Sequence, residues 1–298
     1  MKVNFLSPNE SYSVIKSAQY LNFISSPEIQ LRIGKDGSKS DLLKYYKHQL
    51  VSFLTSEQQV IQWYISMMIP YVSRYAPKLL IPEIQFGKFR AGTDWDFPFT
   101  VGNTVFLTET YIQSMKMGRI TNKTRPILVT LVHELVHINT PAFLQQFEYI
   151  YRKHFGFRKV TGVDLSRIHR YIITNPDGYQ LEWIVGFRIQ NDDRIRWFMP
   201  VLVFRNNVRS MLAELDEHYV ATGMLIPTES YPLYTNAIYG LRKHNYHPNE
   251  IVATLLSEYV IRGRKYDRVP HLNPSSAMYA DLGSTVGAPI TAPLMMNI

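Results

Sequence analysis

The sequence predicts an α+β fold that combines helices with a small mixed or antiparallel sheet. In the first 78 residues, apolar side chains recur every three or four positions, which is typical of amphipathic helices. Beyond them, residues 81–90 and 103–112 favour strands, separated by a connection rich in Gly, Asp and Pro. Residues 180–203 alternate between apolar and polar side chains on either side of a turn at 191–193, which is the pattern of a β-hairpin.

The chain is therefore predicted to have three parts. Residues 1–78 form a helical N-terminal region, and residues 79–269 form a core that carries the hairpin as an insertion over 178–205 and a further helix over 248–261. Residues 270–298 contain four prolines, two glycines and one full side-chain charge. That composition is too apolar for a typical disordered tail and too broken for a domain. It predicts an extended arm that docks on the body or on a partner protein.

The amino-acid composition restricts the metal ligands and the partners that the protein can use. The 298 residues include no cysteine, so a metal site would have to use His, Asp and Glu. The N-terminus lacks the apolar run of a secretory signal, and no stretch approaches about 18 uncharged apolar residues, so we expect a soluble intracellular protein and no membrane span. The net charge is +8, but no nucleic-acid-binding motif accompanies it. A solvated basic surface is the favoured interpretation, rather than a nucleic-acid partner.

Residues 127–138 read Ile-Leu-Val-Thr-Leu-Val-His-Glu-Leu-Val-His-Ile, an HExxH motif inside an apolar segment. Wound as a helix, the segment places Thr130, His133, Glu134 and His137 in one sector of roughly 100° and apolar residues everywhere else. Such a helix is buried, and ionisable groups do not enter a core without partners. The two imidazoles lie one turn apart and can hold one ion, with Glu134 beside them to reach a metal-bound water. The motif predicts a hydrolytic zinc site.

The third ligand is harder to find. A third histidine six residues after His137 is excluded, because that position is Phe143. A helix is expected over 207–222, and there Glu217 has an alanine one turn before it and another one turn after it. Small neighbours would let this helix approach the metal closely, which favours Glu217 as the ligand. Glu214, three residues earlier, is the alternative, and a third interpretation makes both of them surface acids.

The segment Val132-His133-Glu134-Leu135-Val136-His137, followed by a Glu-bearing helix, resembles the zincin metallopeptidases of the gluzincin type. The resemblance covers about residues 80–225 and is specific at the HExxH helix. It implies a small mixed sheet, an active-site helix and a mainly helical remainder. It also implies zinc held by His133, His137 and Glu217, with Glu134 as general base. The chain departs from the usual pattern in the 80 positions between His137 and Glu217, which contain the hairpin.

In that family an edge strand just before the active-site helix aligns the substrate, and residues 104–108 occupy that place here. An extended peptide could pair with this strand. More broadly, the segment from Pro98 to Leu107, the HExxH helix and Asn-Pro-Asp-Gly at 175–178 are together similar to metallopeptidase-like proteins of large DNA viruses. Virion association is therefore a further expectation.

The expected activity is peptide-bond hydrolysis of a peptide or protein substrate by a zinc-activated water. The alternative is a structural or assembly protein, for example a virion component, built on the same fold with weak or no hydrolysis. The apolar arm and the inserted hairpin motivate this alternative, because both could contact a partner. Six polar aromatic or imidazole side chains are candidates for stabilising an oxyanion: Tyr219, Tyr231, Tyr234, Tyr246, His218 and His244.

Overall fold

The computed structural model describes residues 1–162, 172–188, 194–204, 211–218, 225–228, 231–238, 241, 244–262 and 276–287. Several sequence predictions lie outside these residues. They are the hairpin turn at 191–193, the candidate Tyr219, and the arm at 270–275 and 288–298. The described part of the chain has an α+β fold, as predicted.

The helices of the described residues are α1 (Pro8–Ser17), α2 (Ser26–Ile33), α3 (Lys39–Gln49), α4 (Thr55–Tyr75), α5 (Glu109–Ile120), α6 (Arg125–Asn139), α7 (Leu144–Phe155), α8 (Pro232–Ala237), α9 (Pro248–Arg262) and α10 (Ser276–Val286). Hydrogen bonds from capping side chains stabilise the first turn of several helices. In α1 and α3 a serine side chain accepts from the third backbone N–H, and an acid at that position bonds back to the serine. The region of residues 1–78, predicted to be helical, is mainly helical from residue 8 onward, but residues 2–5 form a strand.

The strands form two sheets. The first contains β1 (Lys2–Phe5), β2 (Glu83–Phe89), β3 (Phe99–Val101) and β4 (Thr104–Thr108) in the order β1-β2-β4-β3. Its first three members in that order run parallel, and β3 is antiparallel to β4. The second sheet is antiparallel and contains β5 (Phe157–Lys159), β6 (Trp183–Arg188), β7 (Ile195–Phe204), β8 (Met211–His218) and β9 (Leu225–Pro227) in sequence order. The predicted hairpin is confirmed as the β6–β7 pair.

The HExxH helix α6 lies at the centre of the main core. Leu131, Val132, Leu135 and Val136 are at most 1% exposed, and α6 packs against both α4 and α9. Among the described residues, the run from Arg125 to Phe155 is long and apolar enough to cross a membrane, but over half of its most apolar window is buried inside the protein. The core helix of a soluble protein has the same composition. The prediction of a buried α6 is confirmed.

Four predictions are wrong. Residues 109–112 of the expected strand over 103–112 form the start of α5. Residues 211–218 of the expected helix over 207–222 form β8, because β7 offers a long antiparallel partner to which they pair from Met211 to His218. Residues 276–286 of the expected extended arm form α10, whose Met278, Leu282 and Val286 enter the main core. The strand at 104–108 is not an edge, because β2 pairs with one side of it and β3 with the other. The edge strand next to α6 is β3.

Candidate metal centre

Two helices meet at the site. Helix α6 begins at Arg125 with Pro126 in its first turn, where a missing N–H removes no helical bond. Helix α9 begins at Pro248 in the same way, which places Glu250 in its first turn. The two helices pack along each other, so the carboxylate of Glu250 meets the two imidazoles of α6.

The three side chains converge on one point. Nε2 of His133 lies 2.9 Å from Nε2 of His137. The two carboxylate oxygens of Glu250 each reach one ring, at 3.2 Å from Nε2 of His133 and 3.2 Å from Nε2 of His137. In a tetrahedral zinc site, bonds of about 2.0–2.1 Å place the ligand atoms roughly 3.3 Å apart. The buried group His133, His137 and Glu250 could therefore bind a metal ion.

The outer nitrogens of both rings also contact α9. Nδ1 of His137 lies 3.1 Å from the side-chain amide of Asn249, and Nδ1 of His133 lies 3.4 Å from Oγ1 of Thr254. Asn249 is itself held, because its Nδ2 donates to the Asp177 carbonyl at 2.8 Å. Such outer contacts fix the orientation of ligating imidazoles. Helix α9 thus supplies Glu250, the third member of the cluster. It also supplies Asn249 and Thr254, which contact the outer nitrogens of the two imidazoles.

The electrostatics of the cluster favour a positive charge at its centre. Burial alone would lower the pKa of His137, but the carboxyl groups of Asp177 and Glu250 raise it to about 10. Burial and the neighbouring His137 lower the pKa of His133 to about 4. Burial would raise the pKa of Glu250, but His137 and the hydrogen bonds from the imidazoles hold it well below its usual range. The same carboxyl groups would stabilise a metal cation bound between the imidazoles.

Glu134 lies beside the cluster and contacts neither imidazole by a hydrogen bond. Its Oε2 accepts from the Thr100 hydroxyl of β3 at 2.7 Å, and it is 3% exposed. Burial raises its pKa to about 7. A carboxyl group with a pKa near neutrality can both take up and release a proton at physiological pH, which suits a general base.

The turn at 175–178 closes one side of the site. Asp177 Oδ2 accepts from the backbone N–H of Thr100 at 3.2 Å, and Asn175 Nδ2 donates to Glu250 Oε1 at 2.9 Å. Gly178 is required here, because a Cβ at this position would lie 2.9 Å from Cγ of His247. His247 is a structural residue, since its Nδ1 accepts from the backbone N–H of Asn249 at 3.1 Å.

The cluster opens into a cavity of about 1150 Å³. One of its walls is a loop in which Asp94, Trp95 and Asp96 all adopt left-handed backbone conformations, with φ of 47°, 58° and 61°. Consecutive non-glycine residues in this region are strained and persist only when their surroundings hold them. Arg32 stabilises this loop conformation, because its guanidinium donates to Asp94 Oδ1 at 2.6 Å and lies 4.9 Å from the centre of the Trp95 ring.

Arg32 is also the centre of a buried polar network. It pairs with Glu28 at 2.6 Å and donates to the Thr174 carbonyl at 2.8 Å. Glu28 in turn accepts from the backbone N–H of Thr174 at 2.8 Å. The network therefore links helix α2 to the strained loop and to the segment that leads into Asn175 and Asp177.

We expect Arg32→Met to destabilise the protein by about 3–5 kcal/mol, because it leaves Glu28 and Asp94 buried without their cation. Urea unfolding at neutral pH would measure the loss. Arg74→Met is the matched control, because Arg74 is exposed and lies over the ring of Tyr75, so its effect should stay within about 0.5 kcal/mol. Equal stabilities for the two variants would contradict the role given to the network.

The site differs from the sequence prediction in its third member. His133, Glu134 and His137 lie together as expected, but the acid that joins them is Glu250. Glu217 and Glu214 lie on β8, opposite Phe198 and Val201 of β7. The argument for Glu217 required a helix with alanines one turn away on either side, and that helix is a strand.

Glu250 had a signal in the sequence. Helix α9 is apolar over most of its surface, and its Glu250, Thr254, Ser257 and Glu258 recur at three- and four-residue intervals. This is the same pattern that identified the polar side of α6. Of the oxyanion candidates, His244 approaches the cluster most clearly, with its ring centre 5.2 Å from that of His133 and its Nδ1 3.5 Å from Glu250.

No protein-family model, no curated protein and no solved structure matches this chain. The geometry and chemistry of the site are therefore the basis for inferring its function.

Proposed function

We propose that this protein is a zinc-dependent metallopeptidase of the zincin type. The observation that carries the proposal is the convergence of His133, His137 and Glu250 on one point, with Glu134 adjacent to it. Two neutral imidazoles and one carboxylate are the usual protein ligands of a catalytic zinc, and they leave a fourth position for water. The donor set fits zinc better than calcium or magnesium, which prefer oxygen ligands.

The residues around the cluster have separate roles in this proposal. Zinc bound there would supply a water of lowered pKa and a Lewis acid for the scissile carbonyl. Glu134 takes the proton of the attacking water and returns it to the departing amine. Thr100 fixes the carboxylate of Glu134 through its hydroxyl. His244, exposed at the mouth of the cluster, donates to the negative charge that develops on the carbonyl oxygen.

Strand β3 is the place where a substrate backbone would lie. It is the edge of the first sheet and carries Thr100, so a peptide paired to it would pass directly over Glu134. Asp177 now accepts from the outward N–H of Thr100. An extended substrate must displace this contact in order to form its own hydrogen bond with the strand.

The alternative of an assembly protein drew its support from the C-terminal arm and from the inserted hairpin. The described part of that arm, α10, packs on its own chain, where Asp281 pairs with Lys153 at 2.7 Å and with His154 at 2.7 Å. This helix therefore already packs against its own chain. The metal cluster favours the peptidase over the assembly protein.

The test uses the full-length chain. We expect elemental analysis to find one zinc ion per molecule, and mass spectrometry to find cleavage of a denatured protein or a mixed peptide library. Chelation should remove both, and added zinc should restore both. A fully zinc-loaded protein that cleaves none of these substrates would refute the peptidase, and failure to retain zinc would refute the metal site.

A further inference from the structure

One part of the cavity, here called the side pocket, is lined by a group of apolar and aromatic side chains. Ile173 and Leu202 belong to one small apolar cluster, and Leu31, Trp95 and Tyr246 pack against it. Asn175 connects this pocket to the cluster, because its Nδ2 donates both to the Tyr246 hydroxyl at 2.6 Å and to Glu250 Oε1 at 2.9 Å. A substrate group in the pocket would therefore lie beside the bond to be cleaved.

Three residues that line the cavity each have a buried side-chain oxygen without a hydrogen-bond partner among the described residues: Asp94, Tyr111 and Asn245. Asn245 is 1% exposed, and its Nδ2 donates to Thr228 Oγ1 at 3.0 Å, but its Oδ1 has no partner. Asp94 uses Oδ1 for Arg32 and Tyr46, and its Oδ2 has no partner. Buried acceptors without donors are costly, so an N–H group that reached Oδ2 of Asp94 or Oδ1 of Asn245 would stabilise it.

Among the described residues, the cavity wall is rich in carboxyl groups. Six acids and one arginine, Arg32, line it; the acids are Asp94, Asp96, Glu134, Asp177, Glu250 and Glu258. Burial raises the pKa of Glu134 and of Asp177, and Glu258 pairs with Arg262, which leaves Asp94, Asp96 and Glu250.

Arg32 cannot attract an anionic ligand. Its Nε and Nη atoms donate five hydrogen bonds, and a guanidinium has only five N–H groups to donate. It is also shared by two carboxylates, Glu28 and Asp94. Among the described residues, the pocket therefore has apolar and aromatic walls and carboxyl or amide oxygens that can accept hydrogen bonds. The described lining includes no arginine that is free to bind an anion. A long aliphatic stem that ends in a cation complements all of these features.

We propose that the side pocket binds the cationic side chain of a lysine or arginine next to the scissile bond, so that the enzyme selects basic peptides. The aliphatic stem lies between Trp95 and Tyr246, and the cationic head meets Asp94, Asp96 and Asn245. This inference rests on the proposed peptidase function. The same cationic chemistry also occurs at a free peptide N-terminus, and the experiment separates the two sources.

The experiment compares peptides that differ at one position, with Lys, Arg, norleucine or Glu, each made with a free and with an acetylated N-terminus. Hydrolysis by the zinc-loaded enzyme gives kcat/KM, and calorimetry with the Glu134→Gln protein gives binding without turnover. We expect Lys and Arg to exceed norleucine by roughly tenfold or more in both measurements, as a hydrogen-bonded charge would give. Acetylation should leave that ratio unchanged.

Asp96→Asn should reduce the ratio of Lys to norleucine several-fold. The substitution removes the charge but keeps an oxygen to accept from the Gly92 N–H, which Asp96 now bonds at 2.8 Å. Asp36→Asn is the matched control, because Asp36 is exposed, does not line the cavity and changes the net charge equally. Asp94→Asn should act more strongly, but it also weakens the pair with Arg32, so Asp96→Asn is the decisive variant.

The outcomes separate the pocket from the peptidase. If no peptide is cleaved but the Glu134→Gln protein still binds the Lys peptide more tightly than the norleucine peptide, the pocket stands and the peptidase fails. If cleavage occurs at equal rates for Lys, norleucine and Glu, the pocket is refuted and the peptidase stands. A preference that follows the free N-terminus, whatever the side chain, also overturns the assignment to lysine or arginine.

Discussion

Glu134→Gln is expected to abolish hydrolysis while the protein keeps its zinc. The amide has the shape of the carboxyl group and can still accept from the Thr100 hydroxyl, but it cannot take a proton from water. General-base catalysis contributes about 10²–10⁴-fold, so turnover should fall by at least about a hundredfold. Peptide cleavage by mass spectrometry and zinc content by elemental analysis measure the two halves of the prediction.

Glu83→Gln provides the control for this variant. Glu83 lies on β2 in a surface pair with Lys2, and its loss should change neither zinc content nor turnover. Turnover of Glu134→Gln equal to that of the wild type would remove the assigned role of the carboxylate.

The same substitution has a predicted signature in the metal-free protein. Burial raises the pKa of Glu134 from its usual 4.5 to about 7, so the folded state disfavours its charged form. The wild type should therefore lose stability, by up to about 3 kcal/mol, as the pH rises from about 4.5 to about 7. Because Gln cannot ionise, its advantage in urea unfolding should be small at pH 5 and largest at pH 8.

Glu250→Ala is expected to lose stoichiometric zinc. The substitution removes the carboxylate whose two oxygens lie 3.2 Å from the two imidazoles, and two imidazoles alone hold zinc weakly. Removing an outer support of a metal ligand already costs about 10–100-fold in affinity, so removing a ligand should cost more than about a hundredfold. Competition with a chromogenic chelator would measure the affinity.

Glu217→Ala and Glu214→Ala are the matched controls. Both acids lie on β8, and both variants should keep one zinc per chain. If instead Glu217→Ala loses zinc while Glu250→Ala keeps it, the cluster on α6 and α9 is not the metal site.

Helix α6 could be predicted because its own sequence contains the necessary information. An apolar surface on all sides requires burial, and burial requires partners for His133, Glu134 and His137. Helix α9 was also predicted, within one residue of its observed end. What the sequence alone did not supply was their pairing, because the contact joins residues more than 100 positions apart.

Strand β8 shows why the third ligand was misplaced. Its segment satisfies two periods at once, since Leu212 and Leu215 fit a helical stripe and Met211, Ala213 and Leu215 also alternate as in a strand. Pairing with the long strand β7 decides between them, and strand propensity depends on such partners more than on local sequence. Strand β1 escaped prediction for a similar reason, because its four residues pair with β2 some 80 positions later.

The distance along the chain between the ligands has a consequence during synthesis. His133 and His137 leave the ribosome first, and Glu250 follows 113 residues after His137. At translation rates of about 5–20 residues per second, a nascent chain carries both imidazoles for on the order of ten seconds without their carboxylate. The cluster of His133, His137 and Glu250 therefore cannot form before α9 has been made and has docked, and the proposed hydrolytic activity is delayed until then.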